Sequence, residues 1–205
     1  MLVRPLRLTR IDGVLWGVFA LLLLWVAGFR LPAWAESHGL AHHRYRELPV
    51  AQHFDFPVGG PNAEGFHRAQ RFGENLHLGE DWNREGDDEA DRGAPVKAIA
   101  TGRVTYAGHA GPEWGHVVRI VHHLRRHGRS SFVESVYAHL DRVDVKAGQS
   151  IERGGPVGTI GDADGRYGPH LHLEIRREPD LPLGPGYSSR NRAWLDPTAF
   201  ILDHR

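Results

Sequence analysis

The sequence predicts an all-β body, antiparallel and sandwich-like or barrel-like, behind an N-terminal hydrophobic helix. Three observations carry that prediction. From about Phe66 onward, β-branched and aromatic residues come in runs of four to eight, separated by glycine-containing turns. Beyond residue 35 no long stretch shows the helical period. Ahead of both lies an uncharged stretch from Gly13 to Phe29 that contains Leu21, Leu22, Leu23, Leu24, Trp25 and Val26.

That first element is about 25 Å long as a helix, slightly short of a ~30 Å hydrocarbon core. Arg4, Arg7 and Arg10 precede it; Arg30, Pro32 and the small-x-small triplet Ala33-Trp34-Ala35 follow. The pattern fits either a cleavable signal peptide or a membrane anchor for residues 1–35, and both send the rest of the chain across a membrane. The expected location is therefore the periplasm or cell envelope, soluble or held at the inner membrane by residues 13–29. Residues 36–65, with Pro49, Pro57, Gly59-Gly60-Pro61 and Gly65, read as a linker and loosely packed lead-in, from which one short segment could join a sheet. Residues 66–205 form the working domain. Its expected strands include 96–100, 102–106, 116–121, 133–138 and 158–161.

Composition narrows the chemistry. The 205 residues hold 25 acidic and 25 basic side chains, so no basic field argues for nucleic acid. Without residues 1–35 the balance is mildly acidic. Cysteine is absent, which excludes disulfides, thiolate metal sites and a cysteine nucleophile. Histidine is abundant at 15 residues, so any metal here is held by nitrogen and oxygen.

Three short motifs concentrate those histidines. In His77-Leu78-Gly79-Glu80-Asp81 a straight strand would hold His77 and Asp81 about 13 Å apart, too far for one metal. Gly79 permits the turn that brings imidazole and carboxylate together. In His170-Leu171-His172-Leu173-Glu174-Ile175, strand alternation sets His170, His172 and Glu174 on one face and the apolar residues on the other. Neighbours on that face are about 7 Å apart, which suits one ligand beside an acid/base group better than two ligands of one ion. An exposed polar face on an edge strand would give the same pattern. The third motif, Tyr137-Ala138-His139-Leu140, ends a β-type run, and alone its histidine reads equally as structural.

Together and in this order, the motifs resemble the lysostaphin-type (LytM-like) zinc metalloendopeptidases that cut peptidoglycan. That family carries His-x-x-x-Asp, then Tyr-x-His-Leu, then His-x-His. Intervening text is similar too: Gly93-Ala94-Pro95-Val96-Lys97-Ala98, Thr101-Gly102-Arg103-Val104, Val145 to Ile151, Gly158-Thr159-Ile160-Gly161 and Trp194-Leu195-Asp196-Pro197. The likeness spans roughly residues 66–202 and implies the duplicated hybrid motif fold. It implies one Zn²⁺ per chain held by His77, Asp81 and His172, with His139 and His170 as the unligated catalytic pair. Glu174 is a candidate to steady a ligand histidine, since metal-bound imidazoles donate their other N–H to a carboxylate or carbonyl. The chain has no His-Glu-x-x-His, so that class's glutamate base is missing and the two histidines take its place.

The function so implied is metal-dependent hydrolysis of peptide bonds in bacterial peptidoglycan, with cell-wall machinery as a further partner. A non-catalytic regulator of the same fold, which activates another wall hydrolase, is the alternative. A carrier module is a distant third, because it needs a modifiable lysine at a hairpin tip and the only lysines are Lys97 and Lys146. Departures from the family pattern fall at Leu78 and Glu80, in the acidic stretch 82–92 and in the arginine- and histidine-rich stretch 122–131; both stretches are expected to border the cleft. His42, His43, His122, His123 and His127 read as surface histidines. Asp87 to Asp91 reads as a solvated loop, and Trp82 and Trp114 as weak candidates for stacking on a glycan.

Overall fold

The structure, a computed structural model, describes residues 44–86 and 91–205. The apolar stretch 13–29, the Ala33-Trp34-Ala35 triplet, His42-His43 and residues 87–90 lie outside the described residues. Among the described residues no helix is long and apolar enough to cross a membrane.

The body is one strongly curled antiparallel sheet. Its strands are β1 (Phe66–Gln70), β2 (Glu80–Arg84), β3 (Pro95–Lys97), β4 (Gly102–His109), β5 (His116–Arg126), β6 (Arg129–Val143), β7 (Ser150–Ile151), β8 (Pro156–Ile160), β9 (Leu171–Arg176) and β10 (Trp194–Leu195). The order along the main path is β1-β2-β9-β6-β5-β4-β7, with β10 on β9 and β8 joining β6 to β3. The expected all-β antiparallel architecture is what the chain adopts.

β6 is the spine. Its first half, Glu134 to Ala138, pairs with β9, and its second half, Leu140 to Val143, pairs with β8. Along its length it also pairs with β5. Paired on both edges over its middle, the strand is buried there, from Phe132 to Leu140. The side chains of Val118, Ile120, Tyr137, Leu140, Ile160, Leu171, Leu173 and Ile175 fill the core on one side of this spine.

The strand runs read from sequence are the centres of longer elements. Residues 116–121 extend to Arg126 and 133–138 to Arg129–Val143, because hairpin pairing carries both strands past their apolar centres. Conversely, Ala98 to Ala100 are buried but unpaired as a strand. The described helical content is short turns plus α1 (Pro197–Asp203), which is capped by Asp196 accepting from the Ala199 amide at 2.9 Å and buries Phe200 and Ile201.

The expectation of a loose lead-in fails from residue 44 onward. Tyr45, Leu48, Ala51, Phe54, Phe56 and Val58 are all buried. Val50 bridges His123 on β5, and Phe54 makes edge-on ring contacts with Phe200 and His122 at 5.1 and 5.5 Å. The prolines and glycines that give this stretch a linker-like appearance act as bends that thread an irregular backbone along a groove, where its aromatic residues complete the core. His122 and His123 are likewise buried rather than at the surface, each with both ring nitrogens hydrogen-bonded. Of the described histidines in that set, His127, at the exposed hairpin turn, keeps the expected surface position.

Candidate metal centre

β2 and β9 are antiparallel neighbours, and their register sets Asp81 directly opposite His172. Side chains opposite one another across strands are close enough to touch. Asp81 Oδ1 lies 2.9 Å from His172 Nδ1. His77 is outside β2, at the end of a 3₁₀ turn, Glu74–Leu76, and is fastened to Tyr187 by an isolated bridge. From there its Nε2 comes within 3.0 Å of His172 Nδ1 and 3.4 Å of Asp81 Oδ1.

Gly79 makes this convergence possible: it lies in the bend at Leu78–Gly79 that the sequence suggests, and it also leaves room for a close approach of β9. A Cβ there would stand 2.8 Å from His172 Cε1 and 2.5 Å from the Leu173 carbonyl. The glycine is required because β9 and the His172 ring pass directly over it.

Three donors of two types thus meet in a triangle with edges of 2.9, 3.0 and 3.4 Å. Nitrogen and oxygen ligands at ~2.0–2.1 Å around a tetrahedral zinc ion are about 3.4 Å apart, so the donor set fits that metal. Among the described residues this is the one group of three or more such side chains close enough to share an ion. His77 Nδ1 is buried without a partner.

The electrostatics are those of a cation site. Burial, followed by the neighbouring His172, pushes the His77 imidazole down to about 4. Burial also opposes ionisation of Asp81, but the His172 hydrogen bond and nearby imidazoles outweigh it and hold the carboxyl near 2. For His172, burial again disfavours charge, and the hydrogen bonds and charges of Asp81 and Glu174 overcome it, lifting the imidazole to about 9. Two carboxylates therefore keep a positive charge at His172, in the place a cation would take.

β9 is not an edge strand, and its polar face is not exposed. His172, Glu174 and Arg176 are as buried as the apolar residues between them. Glu174 Oε1 lies 3.3 Å from His172 Nε2, and its other oxygen accepts from Arg176 Nε at 2.7 Å and Trp194 Nε1 at 2.9 Å. An acceptor on Nε2 leaves Nδ1 as the nitrogen facing Asp81 and His77.

His139 reaches the same pocket through a backbone irregularity. Regular alternation would put it on the core side with Tyr137. Instead it has φ 61°, within the slip of the β5–β6 register between Tyr137 and Leu140 and just before the β6–β8 slip that follows Leu140. This left-handed bulge turns its ring to within 4.7 Å of His170 and 5.6 Å of His172, centroid to centroid. Burial, then the neighbouring His172 and His170, lowers its imidazole to about 3, and Nδ1 has no partner. His170 stands just before β9, bridged to Gly161, with Nδ1 2.7 Å from the Gly168 carbonyl and Nε2 3.8 Å from Asp81 Oδ1. A carbonyl only accepts, so Nδ1 carries the proton and Nε2 presents its lone pair.

All five motif residues therefore converge, with four of them lining a cleft of about 300 Å³ and His77 buried behind it. The remaining walls were not legible as site residues: Glu113, Tyr167, Pro185, Gly186 and Tyr187. Tyr187 stacks on His77 at 5.0 Å, and Tyr167 lies 5.0 Å from His139. Only Tyr167, three residues before His170, sits near a motif that could have flagged it.

Trp114 is a wall rather than a platform for a sugar. It is nearly buried, packs on His139 and His172, and donates Nε1–H to the Gly184 carbonyl at 3.2 Å. Trp82 lies in the core against Phe56. The stretch 122–131 is a hairpin that lines a different groove, away from the cleft. In the stretch 82–92, Asp91 is buried and accepts from Asn83 Nδ2 at 2.8 Å and from the Arg84 amide, which closes the loop at its base. None of the described lead-in residues lines the cleft.

Residues 77–185, just over half of the chain, match the model of Peptidase family M23. The chain is 36% identical over 92 residues to the cell division protein DipM of Caulobacter vibrioides, which covers 45% of this chain and 14% of that protein. It is 32% identical over 127 residues to the DD-carboxypeptidase/endopeptidase Mpg of Neisseria meningitidis, covering 61% and 26%. With the murein hydrolase activator NlpD of Salmonella typhimurium the identity is 33% over 103 residues, covering 50% and 25%. The chain thus spans about a quarter or less of the length of these three relatives. Among solved structures, a peptidase M23 from Pseudomonas aeruginosa aligns with a TM-score of 0.50 and 31% identity over 75% of this chain and 52% of that one. Lysostaphin from Staphylococcus simulans shares the fold, with a TM-score of 0.50 and 22% identity over 68% and 50%.

Proposed function

The chain belongs to Peptidase family M23, and we propose that it is an exported zinc metalloendopeptidase that hydrolyses peptide bonds of bacterial peptidoglycan. The observation that carries this reading is the convergence of His77 Nε2, Asp81 Oδ1 and His172 Nδ1 beside two unligated histidines in one cleft.

His77, Asp81 and His172 would hold one Zn²⁺, whose Lewis acidity toward a water and a scissile carbonyl is the chemistry the metal supplies. Glu174 fixes which nitrogen of His172 faces the donors. His170, with Nδ1–H committed to Gly168, presents Nε2 as the proton acceptor for the attacking water. His139, neutral in its buried position, is placed to donate a hydrogen bond to the oxygen on which negative charge develops. Trp114, Tyr167 and the 185–187 segment wall the cleft and exclude bulk water. The substrate chain enters alongside Asp81, where His67, Gln70, Asn83 and Pro169 line an adjoining groove.

Export, with residues 13–29 as signal or anchor, belongs to the same proposal and is supported by the charge and hydropathy pattern of the N-terminus. A second reading, a non-catalytic activator of another wall hydrolase, is favoured by the likeness to the murein hydrolase activator NlpD. Against it stands the complete five-residue set.

Substitution separates the roles. His77→Ala, Asp81→Ala and His172→Ala each abolish stoichiometric zinc binding. His139→Ala and His170→Ala retain zinc and lose about 10²–10⁴-fold in turnover. Full turnover by zinc-loaded His170→Ala would remove it from the mechanism.

A further inference from the structure

One fully buried guanidinium is bonded both to Glu174, the neighbour of His172, and to residues 181–183, which lead into the wall of the cleft. Arg176 lies two residues beyond Glu174 on β9, where its side chain has 0% exposure. Its Nε donates to Glu174 Oε2 at 2.7 Å, and Glu174 Oε1 is the neighbour of His172 Nε2. On the other side, Nη1 donates to the Pro182 and Leu181 carbonyls at 3.0 and 3.3 Å, and Nη2 to Leu183 at 2.8 Å. Trp194 packs its ring 5.5 Å from the guanidinium and donates to the same Glu174 oxygen.

The segment held this way continues into the cleft. Gly184 accepts from Trp114, Gly186 accepts from the Leu78 amide at 2.9 Å, Tyr187 stacks on His77, and the Ser188 amide donates to Leu76 at 2.9 Å. A buried ion pair adds little net stability compared with an apolar pair of the same volume, so stability alone does not account for a charge here. A planar fork that satisfies a carboxylate on one edge and carbonyls on the other fixes two groups relative to one another.

We propose that Arg176 is a positioning residue that sets the His172 imidazole and the segment 181–187, whose last three residues wall the cleft, as one unit, so that metal affinity and the shape of the substrate cleft depend on the same side chain. The proposal rests on the reading of His172 as a zinc ligand.

Two readouts on the full-length protein test it without any activity assay: zinc affinity by competition with a chelator, and amide hydrogen exchange over 181–188 in the metal-free chain. Arg176→Gln lowers zinc affinity about 10–100-fold, the usual effect of losing support behind a ligand. It also speeds exchange over 181–188 about tenfold or more while β5 and β6 stay protected. Arg176→Lys reaches Glu174 with one compact head but cannot span the carbonyls, so zinc affinity stays within about threefold while the wall exchanges fast. Unchanged exchange over 181–188 in Arg176→Lys overturns the proposal, as does wild-type zinc affinity in Arg176→Gln. If Arg176→Gln loses protection throughout β5 and β6, it has unfolded and the Lys variant decides. If the wild type itself binds no zinc, the metal reading fails separately, and the proposed coupling fails with it even where the wall loosens.

Discussion

Gly79 and His139 are the two residues whose backbone, rather than side-chain chemistry, creates the site. At Gly79 the constraint is a close approach, and nothing short of backbone movement accommodates a methyl group against the Leu173 carbonyl at 2.5 Å. Gly79→Ala is therefore expected to cost about 1–3 kcal/mol of stability by overpacking. It should also weaken zinc binding by moving His172 off its donors; denaturant unfolding and zinc competition together measure both. At His139 the constraint is a left-handed conformation, which costs an imidazole-bearing residue about 1–3 kcal/mol and is held by its neighbours. The histidine motifs are legible in the sequence because potential metal-binding side chains are chemically distinctive. The two backbone devices were legible only in part. The bend at Gly79 is legible but the close approach of β9 is not, and no residue pattern marks the bulge, since pairing with neighbouring strands imposes it.

At the scale of elements, the β5–β6 hairpin serves the core and the site with opposite ends. Its Leu140 end carries His139, while His122 near its other end is buried in a polar chain. His122 Nδ1 is 3.0 Å from the Thr101 carbonyl, Nε2 is 2.8 Å from Ser135 Oγ, Ser135 is 3.1 Å from the Tyr137 hydroxyl, and that hydroxyl accepts from the Ile99 amide. Complete burial pushes the His122 imidazole from its ordinary 6.5 down to about 4. Between those values the unfolded chain binds a proton that the folded chain refuses, so stability is full above pH 6.5 and falls as pH drops toward 4. A drop of this size corresponds to about 3 kcal/mol. His122→Gln should flatten the acid limb of the stability curve by that order, as read from urea midpoints between pH 4 and 7. An unchanged slope would mean that other buried groups carry the acid sensitivity. Sequence alone took this histidine for a surface residue because a charged-looking run, His122 to Arg126, masks the fact that only its second half leaves the core.

At the scale of the molecule, the lead-in and the C-terminus close the domain together. Phe54 is 1% exposed, contacts Phe200, and its amide donates to the His204 carbonyl at 3.1 Å. Phe54→Ala is expected to cost about 3–5 kcal/mol, as for other large core deletions, with zinc affinity unchanged because the segment lies away from the cleft. The all-β class was readable from run length and glycine spacing. The extent of the domain was not, because residues 44–58 have no period of their own and gain their structure only by filling a groove that other elements build. The same holds for the cleft wall at 185–187, whose proline and glycine carry no signal of the candidate metal centre beside them. The proposed hydrolysis of wall peptides has a direct test. Purified peptidoglycan is incubated with the full chain and one equivalent of zinc, beside a chelated control, and the products are read by mass spectrometry. Zinc-dependent release of peptides with new amino and carboxyl ends at a single type of bond is expected. Tightly bound zinc with no new ends, in the presence of accessible substrate, would contradict it and favour the activator.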